Sequence, residues 1–268
     1  LALHYDEAAV KNYYESLPQE KRPYIQDFHH SNHATVLYNA MIHPLIEFPI
    51  RGVIWYQGCN NVGRAAQHQA LFQTLITDWR KCWKNPDMPF YFVQLANYLQ
   101  PSDLQPESQW ALLRESQADA LCLPHTGMVS NIDLGDAKDI HPKTKREVGR
   151  RMAAIALNQT YGKHKTAFTA PVYERYTVEA DGIHIHFATP QGSEPLVIED
   201  NLPGFILAGA NRQWHVAKAK VLSGNEVVVS CEGIHFPVAV RYGWADNPTC
   251  TLRTQSGLHV APFRTDRW

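Results

Sequence analysis

GVIWYQGCNN, residues 52–61, is the stretch on which the fold turns. Val53–Tyr56 is β-branched and aromatic without polar alternation, and the run stops abruptly at Gln57, Gly58, Cys59, Asn60 and Asn61. Strands covered on both faces, as in parallel sheets, read as continuous apolar runs. In open α/β sheets, ligands bind where such strands end. The stretch therefore predicts a buried strand that delivers polar groups to a site.

The flanking sequence repeats that grammar. RAAQHQALFQTLITDWRKCW (64–83) carries Leu71, Phe72, Leu75, Ile76, Trp79 and Trp83 at helical spacing. After the break NPDMP, FYFVQLA (90–96) reads as a second buried strand, SQWALLRESQADALCL (108–123) as a helix and TGMVSNID (126–133) as a third strand. PKTKREVGRRMAAIALNQTYG (142–162) closes the series as a helix, with Pro142 in its first turn and Val148, Met152, Ile155 and Ala156 on one face. One more helix is expected near 6–16, followed by the loop LPQEKRPY. Strands alternating with helices predict an α/β fold with a parallel sheet, which we assign to residues 1–165.

From residue 166 the texture changes. YERYTVEADGIHIHFAT, LVIED, FILAGA, WHVAKAKVL, NEVVVSCEG and PVAVRYGW are short strand patterns separated by turn residues. They predict a small all-β, sandwich-like domain over 166–268.

Composition narrows the function. The chain has 268 residues, 44% of them hydrophobic, with a net charge of −1 and no basic block, which argues against a nucleic-acid partner. No apolar run approaches the ~20 residues of a membrane span. The first residues lack a charged region followed by an apolar core, so no signal peptide is expected there. The absence of an initiator Met suggests a processed or truncated chain. The aromatic complement, 7 Trp, 12 Tyr and 10 Phe, suits carbohydrate handling as well as ordinary cores. Five cysteines (59, 82, 122, 231, 250) are scattered, and their odd number leaves at least one unpaired.

The third strand runs into NIDLGDAKDIHP, which gathers Asp133, Asp136, Asp139 and His141 ahead of a helix. A His beside a helix N-terminus feels the positive end of the macrodipole, which favours the neutral imidazole that a general base must be. A nearby carboxylate can fix its tautomer and stabilise the charge it acquires. Helix capping explains the same acids without chemistry, and a turn explains Asn61. Two polar strand ends in one sheet make a joint site the sharper expectation.

These blocks resemble a family. LYNAMIHPLIEFPIRGVIWYQGCNN, LFQTLITDWR, PFYFVQLAN, WALLRESQ, IDLGDAKDIHPKTKREVGRRMAAIAL and VRYGWADNP…PFRTD are similar to the sialate O-acetylesterases of the SGNH-type hydrolases, from about residue 36 onward. The resemblance implies the C-terminal part of a three-layer α/β/α (flavodoxin-like) sheet and an accessory β domain. It also implies removal of acetyl groups from sialic acid or related sugars by a Ser-His-Asp mechanism, with no cofactor and no metal. By the same resemblance His141 is the general base, Asp139 its acid partner with Asp136 in reserve, and Asn61 an oxyanion-hole donor. Gln57 and Gly58 join Asn61 as oxyanion or substrate-binding residues. Many such enzymes carry the acid three residues before the His, where this chain has Lys138. A periplasmic, secreted or lysosome-like location is what the family implies.

Two departures bear on mechanism. The family reads Gln-Gly-Glu-Ser-Asn at the strand end, so Cys59 stands in place of a glutamate. The family's Gly-Gln-Ser-Asn-Met-like block, which bears the nucleophile, and its glycine-rich block are absent from these residues. Ser31-Asn32 in HHSNH has no preceding glycine or apolar strand and is rejected as the nucleophile. The expectation is that the Ser lies in a missing N-terminal segment or on another chain.

Three rivals were weighed. His29, His30 and His33, or His184 and His186 on one strand face, could bind a metal, but such sites need three or four convergent ligands. Cys59 could act as a nucleophile with His141 as base, against the simpler expectation of a spectator thiol. The chain could instead be a non-catalytic glycan-binding fragment or a subunit of a split esterase, using Trp55, Tyr56, Trp110 and Trp244 as stacking surfaces.

Overall fold

Three parallel strands form around the opening motif: β1 (Val53–Trp55), β2 (Phe90–Val93) and β3 (Thr126–Val129), ordered β1-β2-β3. The register sets Ile54 against Tyr91 and Phe92 against Met128. All four β2 residues are buried, as a central strand covered on both faces requires. The edge strand β1 leaves Ile54 74% exposed. The computed structural model describes residues 7–18, 35–163 and 166–268. His29, His30, Ser31, Asn32 and His33 lie outside the described residues.

The helices fall close to their sequence signals. They are α1 (Glu7–Ser16), α2 (Ala65–Cys82), α3 (Gln109–Ala118) and α4 (Lys145–Ile155). Helix α2 sends Phe72 edge-on to Phe92 at 5.1 Å between ring centroids. Helix α3 starts at Ser108, whose Oγ accepts from the Ala111 amide at 3.0 Å. It ends ten residues later in a short 3₁₀ turn, Asp119–Cys122, rather than running to Leu123. Helix α4 buries Val148, Met152 and Ile155 against Tyr91, Val93 and Val129. It begins at Lys145, so Pro142 precedes the helix instead of occupying its first turn, and it loosens into a π turn over Ala156–Thr160. None of the described helices is long and apolar enough to cross a membrane.

By Cα proximity the chain divides into two units, 1–50 with 79–85, and 51–78 with 86–268. Within the first, Tyr38 Oη lies 3.2 Å from Cys82 Sγ and Trp83 Nε1 donates to the Phe48 carbonyl at 3.0 Å. The second contains the parallel sheet and two antiparallel sheets. One antiparallel sheet is ordered β4-β5-β9-β8: β4 Val172–Glu179, β5 Gly182–Ala188, β8 Lys218–Ser223, β9 Glu226–Ser230. The other is β11-β10-β6-β7: β6 Phe205–Gly209, β7 Trp214–Val216, β10 Pro237–Tyr242, β11 Phe263–Arg264. Ile183, Ile185, Val227 and Val229 from the first share a core with Phe205, Leu207, Val240 and Tyr242 from the second. WHVAKAKVL, expected as one strand, is divided at buried Ala217, where the chain leaves β7 in one sheet and enters β8 in the other. LVIED makes only single bridges, Leu196 to Thr254 and Asp200 to Lys220 of β8, and forms no regular strand.

Helix α4 is tied at its first turn by a charge cluster. Glu147 accepts from Arg150 at 2.8 and 2.7 Å and from Arg151 at 3.0 Å, while Arg151 grips Asp133 at 2.8 and 2.6 Å. The Arg150 hydrogen bonds, opposed by partial burial and aided by Arg151, hold the Glu147 carboxyl down at about 2 instead of 4.5. A depressed carboxyl contributes stability that is full above its unfolded pKa and fades as pH falls towards the folded one. Thermal melts should therefore lose Tm between pH 4.5 and about 2 by an amount that Glu147→Gln removes. An equal acid slope in the variant would refute this linkage.

Candidate active site

At the end of β1 the chain turns down through Gly58 into a short turn, Cys59–Asn61, closed by the Asn61 amide donating to the Gly58 carbonyl at 2.8 Å. Gly58 is fixed by close approach: a Cβ there would sit 2.7 Å from Gln117 Nε2 and 3.2 Å from Leu95 Cδ2. Gln57 Nε2 donates to Asn61 Oδ1 at 2.8 Å. With its oxygen occupied by Gln57, the Asn61 side chain has its Nδ2–H groups left to donate. Gln117 steadies the turn, donating through Nε2 to the Gln57 carbonyl at 3.1 Å and accepting from the Leu95 amide at 2.9 Å.

After β3 the four predicted residues part company. Asp133 is taken by Arg151, with His259 Nε2 3.6 Å away, and serves the α4 anchor. Gly135 donates to Asn97 Oδ1 at 2.7 Å in a gap that a Cβ could not enter without striking the Asn97 carbonyl. Asp136 Oδ1 accepts from the Lys138 amide and Asp139 Oδ1 from the His141 amide, each at 2.8 Å. The Asp139 carboxylate is thus locked beside its histidine, with His141 Nδ1 3.9 Å from Asp139 Oδ1 and the imidazole side chain 87% exposed. Of the two acids, only Asp139 reaches that ring within ion-pair distance among the described residues.

One apolar cluster brings the two loops together. Leu95, Trp110 and Leu113 form it, and Cys59, Val62 and Ile140 pack against it. Cys59 and Val62 flank Asn61 closely in the chain, and Ile140 precedes His141. Lys145 Nζ, at the start of α4, lies 4.6 Å from the centre of the Tyr56 ring, whose hydroxyl accepts from Asn131 Nδ2 at 3.5 Å. The ends of β1 and β3 therefore meet beside the start of α4. Burial pushes the Cys59 thiol up, although its backbone amide and the Lys145 charge pull the other way. A raised pKa disfavours the thiolate, the form that attacks. Of the four stacking surfaces in the glycan-binding reading, Trp110 and Trp244 are buried, Trp55 is partly buried and Tyr56 is exposed.

Sequence reasoning passed over the supports. In RESQ, quoted above only as a block, every residue has a task. Arg114 feeds backbone carbonyls, Glu115 pairs with Arg264 at 2.7 Å, Ser116 Oγ meets His68 Nδ1 at 2.8 Å, and Gln117 holds Gln57. The signal available was a dense polar run inside an otherwise apolar helix. A cleft of about 500 Å³ lies elsewhere, lined by Phe168, Tyr173, His259 and Arg264 among others, and neither His141 nor Asn61 borders it. The hydrogen-bond geometry is a better guide to chemistry than that volume, because no nucleophile or acid–base pair of the predicted site faces the cleft.

Comparison with known proteins finds relatives of the chain as a whole. The family model described as carbohydrate esterase, sialic acid-specific acetylesterase, matches residues 24–158. The sialate O-acetylesterase of Mus musculus is 29% identical over 255 residues, covering 85% of this chain and 47% of the mouse protein. That of Homo sapiens is 27% identical over 252 residues, covering 85% and 48%. The crystal structure of a carbohydrate acetylesterase from Xanthomonas citri is 40% identical with a TM-score of 0.79, covering 87% of this chain and 54% of that one. The chain spans about half the length of the curated relatives it matches.

Proposed function

The chain belongs to the carbohydrate esterase family of sialic acid-specific acetylesterases, and from that premise we propose that it supplies the general base and an oxyanion donor of a carbohydrate O-acetylesterase. The observation that carries this reading is the shared cluster of Leu95, Trp110 and Leu113, which seats the Asn61 turn and the His141 loop on one support. The substrate class is an acetyl ester of sialic acid or a related sugar. The parallel sheet is read as the C-terminal part of a three-layer α/β/α esterase domain ending near residue 165, and the two antiparallel sheets as a sandwich-like domain over 166–268.

In this mechanism a serine outside the 268 residues attacks the acetyl carbonyl carbon, and His141 Nε2 takes the serine proton. Asp139 steadies the imidazolium once its carboxylate closes on Nδ1 from 3.9 Å. The carbonyl oxygen becomes an oxyanion and accepts from Asn61 Nδ2. Collapse breaks the ester C–O bond, and the sugar oxygen leaves with the proton returned by His141. Water then repeats the sequence on the acyl-serine, with His141 again as base, releasing acetate and free serine.

The test is hydrolysis of p-nitrophenyl acetate and O-acetylated sialic acid by the 268-residue chain, alone and with its preceding Ser-bearing segment. Turnover should appear only with the added segment. Rapid hydrolysis by the isolated chain, abolished by His141→Ala, would place the nucleophile inside these residues and overturn the split reading. In the complete enzyme Asn61→Ala should lower kcat by ~10²–10³ and leave KM nearly unchanged, because the donor matters most when the oxygen carries charge. A matching rise in KM at constant kcat would assign Asn61 to ground-state binding instead.

A further inference from the structure

On the β4–β5 hairpin, apart from the residues used above, His184 is buried to 7% exposure although it belongs to the face opposite the core residues Ile183 and Ile185. Its Nδ1 lies 2.8 Å from Glu226 Oε1 and its Nε2 lies 2.9 Å from Asp181 Oδ1 and 3.7 Å from Glu179 Oε2. The sequence had set His184 beside His186, but His186 Nε2 turns to Thr177 Oγ1 at 3.2 Å. A neutral imidazole owns one N–H and cannot donate to two carboxylates at once. If that N–H serves Glu226, the Nε2 lone pair faces two carboxylates, an arrangement relieved either by protonating the ring or by a cation held between them.

We propose that the hairpin binds a divalent transition-metal ion of the Zn²⁺ class on His184 Nε2, Asp181 and Glu179, with Glu226 orienting the ring through Nδ1. The donor atoms of those three residues all lie within 4.8 Å of one another. Metal bonds of about 2.1 Å set neighbouring donors ~3.4 Å apart in a tetrahedron, and the two Nε2 separations bracket that value. A carboxylate on the far ring nitrogen fixes the tautomer and raises the basicity of a metal-ligating His. One nitrogen with two carboxylates suits Zn²⁺ or its neighbours better than Ca²⁺, which prefers an all-oxygen shell.

Charge favours the same assignment. Among the described residues no lysine or arginine lies within ion-pair distance of Glu179, Asp181 or Glu226. An imidazolium would leave two of the three carboxylate charges uncompensated, and a divalent ion with neutral His184 leaves one. Because the ligands come from the end of β4, the turn and the start of β5, the ion would clamp the hairpin rather than take part in ester hydrolysis.

Co²⁺ is the direct probe, because its visible d–d bands report a four-coordinate N/O site and a thiolate ligand adds a separate near-ultraviolet band. Titration of the chelator-treated chain at pH 8 should give one Co²⁺ per chain without the thiolate band, displaced by Zn²⁺ and accompanied by a rise in Tm. Asp181→Asn, in an exposed turn where the fold tolerates change, should abolish the bands, and Glu226→Gln should weaken binding ~10–100-fold. Absence of the bands, a thiolate signature, or bands unchanged in Asp181→Asn would each overturn the assignment.

Discussion

His141→Ala in the complete enzyme is expected to lower kcat by about 10⁴-fold or more, since one member of a catalytic triad forfeits most of what the whole triad contributes. The fold should not register the change. The side chain is 87% exposed and lies within ion-pair distance of no group but Asp139 among the described residues, so its loss belongs with surface substitutions, within about 0.5 kcal/mol. Equal urea midpoints for variant and wild type would separate chemistry from folding. Asp139→Asn should slow the reaction severely, because the asparagine no longer stabilises the imidazolium, whereas Asp136→Asn should not. The reverse order would move the acid to Asp136, whose Oδ1 here only accepts from the Lys138 amide. Retention of most turnover by His141→Ala would end the general-base assignment.

The sequence made the strand–helix order and the two polar strand ends legible because both are local signals. β1, β2 and β3 lie inside the apolar runs that predicted them, and Val148, Met152 and Ile155 do form the buried face of α4. What escaped was decided by groups distant in the chain. WHVAKAKVL looked like one strand because its alternation is continuous, but β7 and β8 answer to different partners, β6 and β9. Pro142 satisfied a helix-start rule, yet the preceding loop is held by its own turn, with Asp139 accepting from the His141 amide, and the helix starts three residues later. Asp133 looked equivalent to Asp136 and Asp139 until Arg151, 18 residues on, claimed it. His184 was read with His186 because period-two spacing puts them on one face, and spacing cannot reveal that Glu226, from β9, stands against the first of them.

Arg114 bears the largest expected stability effect. It is fully buried and pairs with no carboxylate; its guanidinium instead donates to four backbone carbonyls. Those of Leu95 and Ala96, just past β2, are met at 3.0 and 3.1 Å, and those of Ala245 and Asp246, past β10, at 2.7 and 2.8 Å. Burial brings its pKa down to about 10 from 12.5, with Asp246 among the groups that resist the shift, so it stays charged at neutral pH. Replacing it with Met fills much of the volume but leaves the Leu95 and Ala245 carbonyls without a donor, each costing about 1–3 kcal/mol where water cannot reach, while the Ala96 carbonyl still accepts from Trp110 Nε1 and the Asp246 carbonyl from the Tyr98 amide. The loss should be about 2–6 kcal/mol, a large part of the whole stability of a marginal domain. Lysine should rescue little, because one ammonium cannot span two pairs of carbonyls that a planar fork reaches together. Urea unfolding of the chain should therefore show both variants with midpoints well below that of the wild type. A loss below about 1 kcal/mol in Arg114→Met would mean that the carbonyls find other partners, and that residues 95–96 and 245–246 are held together by packing alone.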